Sequence, residues 1–210
     1  MVYKIGMRIV NARFLKSVDR YEGKGREPLP EICFIGRSNV GKSSMINTLV
    51  ARKVARTSSI PGATRLINLY QVDYEFEGLK RSLIVSDFPG FGYARVPKEM
   101  REGWQQMIEA YIEDNRAITQ IIWVFDVRRE MDPLDEMLLE WLSANGIGFR
   151  LVLTKIDRET RSAVAQKKIR FQSVTGEGNP PLLFSAKDGQ GKHELLSHIA
   201  RSVKSTFSRD

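Results

Sequence analysis

The chain has 210 residues, of which 42% are hydrophobic and 9% aromatic, enough for a sizeable core and too many for a disordered polypeptide. Its longest uninterrupted apolar run has five residues, 121–125, which excludes a bilayer-spanning segment, and the first 30 residues lack the apolar region of a signal peptide. Lysine and arginine total 33 against 25 acidic residues, a net charge of +8, and the single cysteine excludes an internal disulfide. These features predict a soluble cytoplasmic protein. The charge favours a polyanionic partner, although a basic surface that only aids solubility explains it equally well.

The first 30 residues are predicted to form a basic N-terminal extension, because they hold seven basic and three acidic side chains. Residues 8–15 are a candidate edge strand within this extension. Residues 17–30 contain two glycines and two prolines, a composition typical of a linker or loop.

Strands and helices alternate from residue 31 onward. Buried strands are predicted at 31–36, 121–125, 149–153 and 182–184, and a hairpin over 66–73 and 81–87. Helices are predicted after residue 43, around 100–112, from the Asp132–Pro133 cap to Asn145–Gly146, over 160–173 and over 191–205. This order predicts an α/β fold over residues 31–205, with a mostly parallel sheet of about six strands and helices on both faces. Residues 206–210 are predicted to form a short C-terminal tail.

A phosphate-binding loop follows the first buried strand. Residues 36–43 satisfy G-x-x-x-x-G-K-[ST] at every fixed position, with a strand before them and a helix after them. Glycines let the backbone amides and the positive helix end approach a phosphate chain. Lys42 is expected to neutralise charge between the β- and γ-phosphates, and Ser43 to ligate Mg²⁺. The predicted nucleotide contacts here are Gly36, Arg37, Ser38, Asn39, Val40, Gly41, Lys42, Ser43 and Ser44.

Three later segments, each at the end of a predicted strand, indicate that the nucleotide is GTP. The first places an aspartate near Mg²⁺ and a glycine amide near the γ-phosphate. The second ends in an aspartate that can accept hydrogen bonds from N1–H and the 2-amino group of guanine, donors that adenine lacks. The third presents an alanine amide to guanine O6, and all three lie where open α/β sheets bind ligands. The segments are Asp87, Phe88, Pro89 and Gly90; Thr154, Lys155, Ile156 and Asp157; and Ser185, Ala186 and Lys187.

Together these motifs resemble those of the Ras-like P-loop GTPase domain. The particular residues in and around the motifs resemble those of the EngB-type GTPases of ribosome biogenesis. The resemblance spans about residues 30–205. The stretches that carry it are GRSNVGKSS at 36–44, PGATRLIN at 61–68, SDFPGFGYARVP at 86–97, WQQMIEAYIEDNR at 104–116, FDVRRE at 125–130 and LTKID at 153–157.

The resemblance implies two nucleotide-dependent switches. The first is a loop from about Val50 to Arg65 that includes Gly62, Ala63, Thr64 and Arg65. In this loop Thr64 ligates Mg²⁺ together with Ser43 and Asp87 when GTP is bound. Residues 88–97 form the second. The implied catalytic set is Lys42, Ser43, Thr64 and Gly90. The family also implies binding to the large ribosomal subunit or its precursor, and a link to cell division and septation.

Phe91 and Thr154 depart from the Ras-like pattern, and Asn39 suggests a separate hypothesis. Phe91 stands where Ras-like GTPases have the glutamine that orients the attacking water, so intrinsic hydrolysis is expected to be slow until a partner or a cation assists. Asn39 is a candidate K⁺ ligand by analogy with related GTPases, and a loop asparagine that bonds its own backbone is the alternative. Thr154 replaces the asparagine of N-K-x-D and offers only a hydroxyl, so nucleotide affinity is expected to be modest.

Basic segments beside the predicted switch are expected to contact ribosomal RNA phosphates, although a solvated face is the alternative. Residues 158–170 hold five basic side chains and one acid, and no RNA-binding motif with base-stacking aromatics is visible. A monomer without a DNA or membrane partner is expected. Two other functions stay open: a P-loop ATPase or kinase, and an RNA-binding module whose nucleotide is only structural. The basic residues that flank the first predicted switch are Arg52, Lys53, Arg56 and Arg65.

Overall fold

The computed structural model describes residues 6–22, 28–56, 66–91, 98–176 and 178–207. Its strands are β1 (Arg8–Val18), β2 (Glu31–Ile35), β3 (Ile67–Phe76), β4 (Leu79–Asp87), β5 (Ile118–Asp126), β6 (Phe149–Thr154) and β7 (Leu182–Leu183). Its helices are α1 (Lys42–Val50), α2 (Lys98–Asp114), α3 (Pro133–Ala144), α4 (Arg161–Thr175) and α5 (Lys192–Phe207).

Within the described residues, one sheet has the strand order β1-β3-β4-β2-β5-β6-β7. It has seven strands rather than about six, because β1 pairs antiparallel with β3 at the edge. This strand runs to Val18 and so enters the stretch that was interpreted as a linker. The β3–β4 hairpin is confirmed, and the remaining neighbours are parallel, as predicted for an α/β fold.

The hydrophobic core lies on both faces of the sheet. Helices α1 and α5 cover one face with Met45 and Leu195, and helices α2, α3 and α4 cover the other with residues such as Leu142. The side chains of β2 and β5 alternate between the two clusters. Strands covered on both sides need apolar residues at successive positions, which accounts for the uninterrupted runs in the sequence.

Helix caps fix where two helices begin. The side chain of Asp132 accepts hydrogen bonds from the backbone amides of Leu134 and Asp135, with Pro133 at the first helical position, so the predicted cap of α3 is confirmed. The Thr160 side chain accepts from Ala163 at the start of α4. Among the described residues, no helix has both the length and the apolar character needed to cross a membrane.

Candidate nucleotide-binding site

The predicted phosphate and guanine segments meet at one edge of the sheet. The phosphate loop follows β2, Asp87 ends β4, Thr154 ends β6, and Ser185 lies just beyond β7. Because β4, β2, β5, β6 and β7 are parallel neighbours, their carboxyl ends lie side by side. The structure therefore brings residues separated by more than a hundred positions into one site, where α/β sheets bind ligands.

Close contacts and backbone conformation require glycine at two positions of the phosphate loop. A Cβ atom at Gly36 would lie 2.3 Å from the carbonyl oxygen of Val124, so the loop approaches β5 too closely for a side chain. Gly41 caps α1 with φ 107°, a left-handed conformation that favours glycine. The Lys42 ammonium folds back over the loop and donates to the carbonyls of Gly36 at 2.9 Å and Arg37 at 3.1 Å.

Burial lowers the pKa of the Lys42 ammonium. Desolvation lowers its pKa from 10.5 to about 8, and the nearby Asp87 carboxylate only partly opposes that change. Phosphate groups of a bound nucleotide would stabilise the charged ammonium and raise the pKa again. Nucleotide binding is therefore coupled to protonation of this side chain.

We expect GDP binding to take up about half a proton at pH 8, more at pH 9 and almost none from Lys42 at pH 6.5. Affinity should fall as pH rises through 8, because the free protein then loses the proton that the complex requires. Calorimetric titrations in two buffers of different ionisation enthalpy measure the uptake. Lys42→Arg stays charged and should abolish it; uptake that persists in this variant would contradict the assignment.

Ser43 and Asp87 form the candidate Mg²⁺ site. The Ser43 hydroxyl donates to Oδ2 of Asp87 at 2.7 Å. Oδ1 of Asp87 is buried and has no hydrogen-bond partner among the described residues, and burial raises the pKa of this carboxyl. Hydroxyl and carboxylate oxygens are hard ligands that suit Mg²⁺. These residues therefore fit the ion, which would satisfy the orphaned oxygen.

Gly90 and Phe91 lie against the phosphate loop. A Cβ atom at Gly90 would be 2.5 Å from Cα of Ser38, so only glycine permits this approach. The Ser38 amide donates to the Phe91 carbonyl at 3.0 Å. The guanidinium carbon of Arg37 lies 5.9 Å from the centre of the Phe91 ring. The predicted γ-phosphate segment is thus joined to the loop, with an apolar side chain at the position next to Gly90.

Thr154 and Lys155 connect the guanine segment to the phosphate loop. The Thr154 hydroxyl donates to the Val40 carbonyl at 2.7 Å, and the Lys155 ammonium donates to the Asn39 carbonyl at 2.6 Å. A hydroxyl is therefore sufficient for the connection that asparagine makes in the N-K-x-D form. The expected modest nucleotide affinity stays a prediction.

The guanine-recognition carboxylate is oriented by the third segment. Ser185 is fully buried, and its hydroxyl donates to Oδ1 of Asp157 at 2.9 Å. The same hydroxyl oxygen accepts from the amide of Lys187 at 3.3 Å. Asp157 itself stays half-buried at the edge of the site. Ser185 thus fixes one carboxylate oxygen and leaves the group accessible to a base.

Sequence reasoning missed Asp126, which ends β5 beside these residues. Its buried carboxylate accepts from the Arg128 side chain at 2.9 and 2.7 Å and lies 2.9 Å from the Lys155 ammonium. Although burial raises the pKa of Asp126, hydrogen bonds from Arg128 and Lys155 outweigh it and lower the pKa to about 2. The Asp-x-Arg spacing was visible in the sequence, but its partner Lys155 was not apparent from it.

Part of the predicted site cannot be placed. Gly62, Ala63, Thr64 and Arg65, assigned to the first switch, lie outside the described residues, as do residues 92–97 of the second. Their roles, including the Mg²⁺ contact of Thr64, stay predictions.

Comparison with known proteins identifies the family. A family profile described as "50S ribosome-binding GTPase" matches residues 31–155. A probable GTP-binding protein EngB of Syntrophus aciditrophicus (strain SB) is 40% identical over 197 residues, 93% of this chain and 97% of its own. Its counterpart in Aquifex aeolicus (strain VF5) is 41% identical over 171 residues, 81% of this chain and 89% of its own.

The chain belongs to the EngB family of GTP-binding proteins. A crystal structure of a probable GTP-binding protein EngB agrees in fold, with a TM-score of 0.63 and 27% identity over 83% of this chain and 99% of that one. GTP hydrolysis is the activity of the EngB family, so this chain is a GTPase. Family membership therefore excludes the two alternative functions, a P-loop ATPase or kinase and a nonenzymatic RNA-binding module.

Proposed function

We propose that this EngB-family GTPase is a slow, Mg²⁺-dependent switch that acts in the cytoplasm on the large ribosomal subunit or its precursor. Its GTP-bound and GDP-bound forms would bind the particle differently, and the resemblance extends the role to cell division and septation. The observation that carries the proposal is the match of residues 31–155 to a profile described as 50S ribosome-binding GTPases. The net charge of +8 supports a partner rich in phosphate.

The site supplies charge stabilisation and positioning rather than covalent chemistry. The loop amides and the Lys42 ammonium would bind the phosphate chain, and the Gly90 amide would sense the γ-phosphate. Mg²⁺, held by Ser43 with Asp87 beside it, would neutralise charge on the β- and γ-phosphates. Asp157 would select guanine. Phe91 has no hydrogen-bonding side chain with which to orient water, which supports slow intrinsic turnover.

Sedimentation with purified ribosomal subunits tests the proposed partner. The protein should pellet with large subunits in the presence of a nonhydrolysable GTP analogue and much less with GDP, while small subunits should leave it in the supernatant. Equal association in both nucleotide states would reject the switch. Pelleting only with small subunits would reject the partner.

Turnover should be slow in the purified protein and faster when K⁺ is present. Asn39 is exposed, with φ 60°, and its carbonyl already accepts from Lys155, so K⁺ binding would use the side-chain amide oxygen. Phosphate release in KCl is expected to exceed that in NaCl, and Asn39→Ala should remove the difference. Equal rates in both salts would reject the K⁺ role, and fast turnover in NaCl would reject the slow-switch proposal.

A further inference from the structure

Phe14 is an exposed aromatic residue on the edge strand β1, on the same face of the sheet as its partner Tyr70. It is 52% exposed, and its ring meets that of the buried Tyr70 edge-on, with centroids 5.8 Å apart. Edge strands commonly carry charged residues that discourage pairing with other chains, and β1 has exposed Arg13 and Lys16 on either side of Phe14. The aromatic ring is therefore partly presented to solvent on a strand that carries exposed charges as well as the exposed Val10 and Leu15.

Three exposed cations follow the end of α1, and one of them contacts this strand. They are Arg52, Lys53 and Arg56. Arg52 donates to the side chain of Asn11 on β1 at 2.7 Å, which joins the end of the helix to the strand. Among the described residues, no ion pair connects any of the three to an acid. Their charges are thus available to an anionic partner.

Hydrogen bonds tie the segment that carries these cations to α1. The Asn47 side chain accepts from the amides of Val54 at 2.9 Å and Ala55 at 2.8 Å, and it donates to the Ala55 carbonyl at 2.8 Å. Helix α1 begins at Lys42 of the phosphate loop. The backbone beside the cations is therefore connected through α1 to the nucleotide site.

Tyr70 contacts Phe14 and has Arg56 among the charges that act on its hydroxyl. Ala55 and Tyr70 belong to one hydrophobic cluster. Burial and the Asp87 carboxylate raise the pKa of Tyr70, while the Arg56 guanidinium opposes them, so both charges act on its hydroxyl. The Tyr70 hydroxyl is thus near enough to both charged groups for each to shift its pKa.

We propose that Phe14, Arg52, Lys53 and Arg56, here called the Phe14 patch, bind single-stranded RNA. A base would stack on Phe14 while the three cations contact the flanking phosphates, the combination that single-strand binding surfaces use. An unpaired base is required, because an A-form duplex hides the base faces. The inference rests on the proposed function and specifies which surface meets ribosomal RNA. The three cations of the patch lie in the first part of the loop predicted as the first switch, about residues 50–65, of which 57–65 lie outside the described residues.

Fluorescence anisotropy with a labelled single-stranded RNA of roughly 12 nucleotides tests the aromatic contact. Phe14→Ala should weaken binding about tenfold, and Phe14→Tyr should restore it, because a phenol ring also stacks. Leu79→Ala is the matched control, since Leu79 is an apolar residue 53% exposed elsewhere on the sheet; its affinity should equal that of the wild type. GDP affinity should be the same in all four proteins.

The charge contribution is measured from the salt dependence. Arg52→Gln should lower the slope of log Kd against log [KCl] by about 0.7, the loss of one phosphate contact to a single strand. Lys204→Gln is the control, because Lys204 pairs with Glu77 and should leave the slope unchanged.

Unchanged RNA affinity in Phe14→Ala would overturn the inference, as would equal losses in Phe14→Ala and Leu79→Ala. A wild-type protein that pellets with large subunits but does not bind the oligonucleotide would also overturn it and leave the proposed function intact. Conversely, RNA binding that follows the Phe14 patch without association with large subunits would support the patch and reject the proposed partner.

Discussion

Asp157→Asn is expected to lower GTP affinity about a thousandfold and to create a preference for XTP. The carboxylate would accept from N1–H and the 2-amino group of guanine. Asparagine presents an amide donor instead, which cannot pair with the amino group but can donate to the 2-carbonyl of xanthine. Ser185 would still donate to the Oδ1 position, as it now does at 2.9 Å, so the side chain should keep its orientation. Competition of GTP, XTP and ATP against a fluorescent GDP measures the change.

A nearby acid provides the control for this substitution. Glu159 is exposed and lies two positions beyond Asp157, so Glu159→Gln removes the same charge without touching the base. GTP affinity should be unchanged in this variant. If both variants lose affinity equally, or if Asp157→Asn still prefers GTP over XTP, guanine recognition by this side chain is wrong.

Asp126→Asn is expected to speed GDP dissociation at least about tenfold and to lower the free energy of unfolding by about 3 kcal/mol. The buried carboxylate holds the Lys155 ammonium, which in turn donates to the Asn39 carbonyl of the phosphate loop. An amide has the same volume but no charge, so it leaves Lys155 and Arg128 without their counterion. Stopped-flow displacement of fluorescent GDP gives the dissociation rate, and urea unfolding gives the stability.

Glu130→Gln separates the site-specific effect from a general loss of ion pairs. Glu130 pairs with Lys167 and Arg170 on α4, and it is 59% exposed. Its substitution should change stability by less than about 1 kcal/mol and leave GDP dissociation unaltered. A normal dissociation rate in Asp126→Asn, or an equal acceleration in both variants, would contradict the role assigned to Asp126.

The order of elements was predictable because local signals repeat at each step. Continuous apolar runs identified the central strands, and the Asp132–Pro133 pair marked the start of α3. The extent of β1 was not predictable: Lys16 and Ser17 are exposed before the buried Val18, and only pairing with β3 makes the segment a strand. Strand β7 has two residues, too few to show a pattern, so its bounds follow from pairing with β6.

The candidate site also has a part that the sequence predicts and a part that it does not. Fixed spacing identified the phosphate loop, because all its residues are consecutive. Asp126 and Ser185 act on residues 29 and 28 positions away, Lys155 and Asp157, and no local pattern encodes such contacts. Glu31 is similar, since it accepts from Tyr111 at 2.9 Å and Asn115 at 2.8 Å, which only the fold brings together. Contacts between side chains that are distant in the sequence can be identified only from the structure.

A calorimetric titration of the wild-type protein with GDP and with ADP, in the presence of Mg²⁺, tests the central claim most directly. If Asp157 reads the base held beside the loop of residues 36–43, GDP should bind at least about a thousandfold more tightly than ADP. Comparable affinities for the two nucleotides would contradict the account.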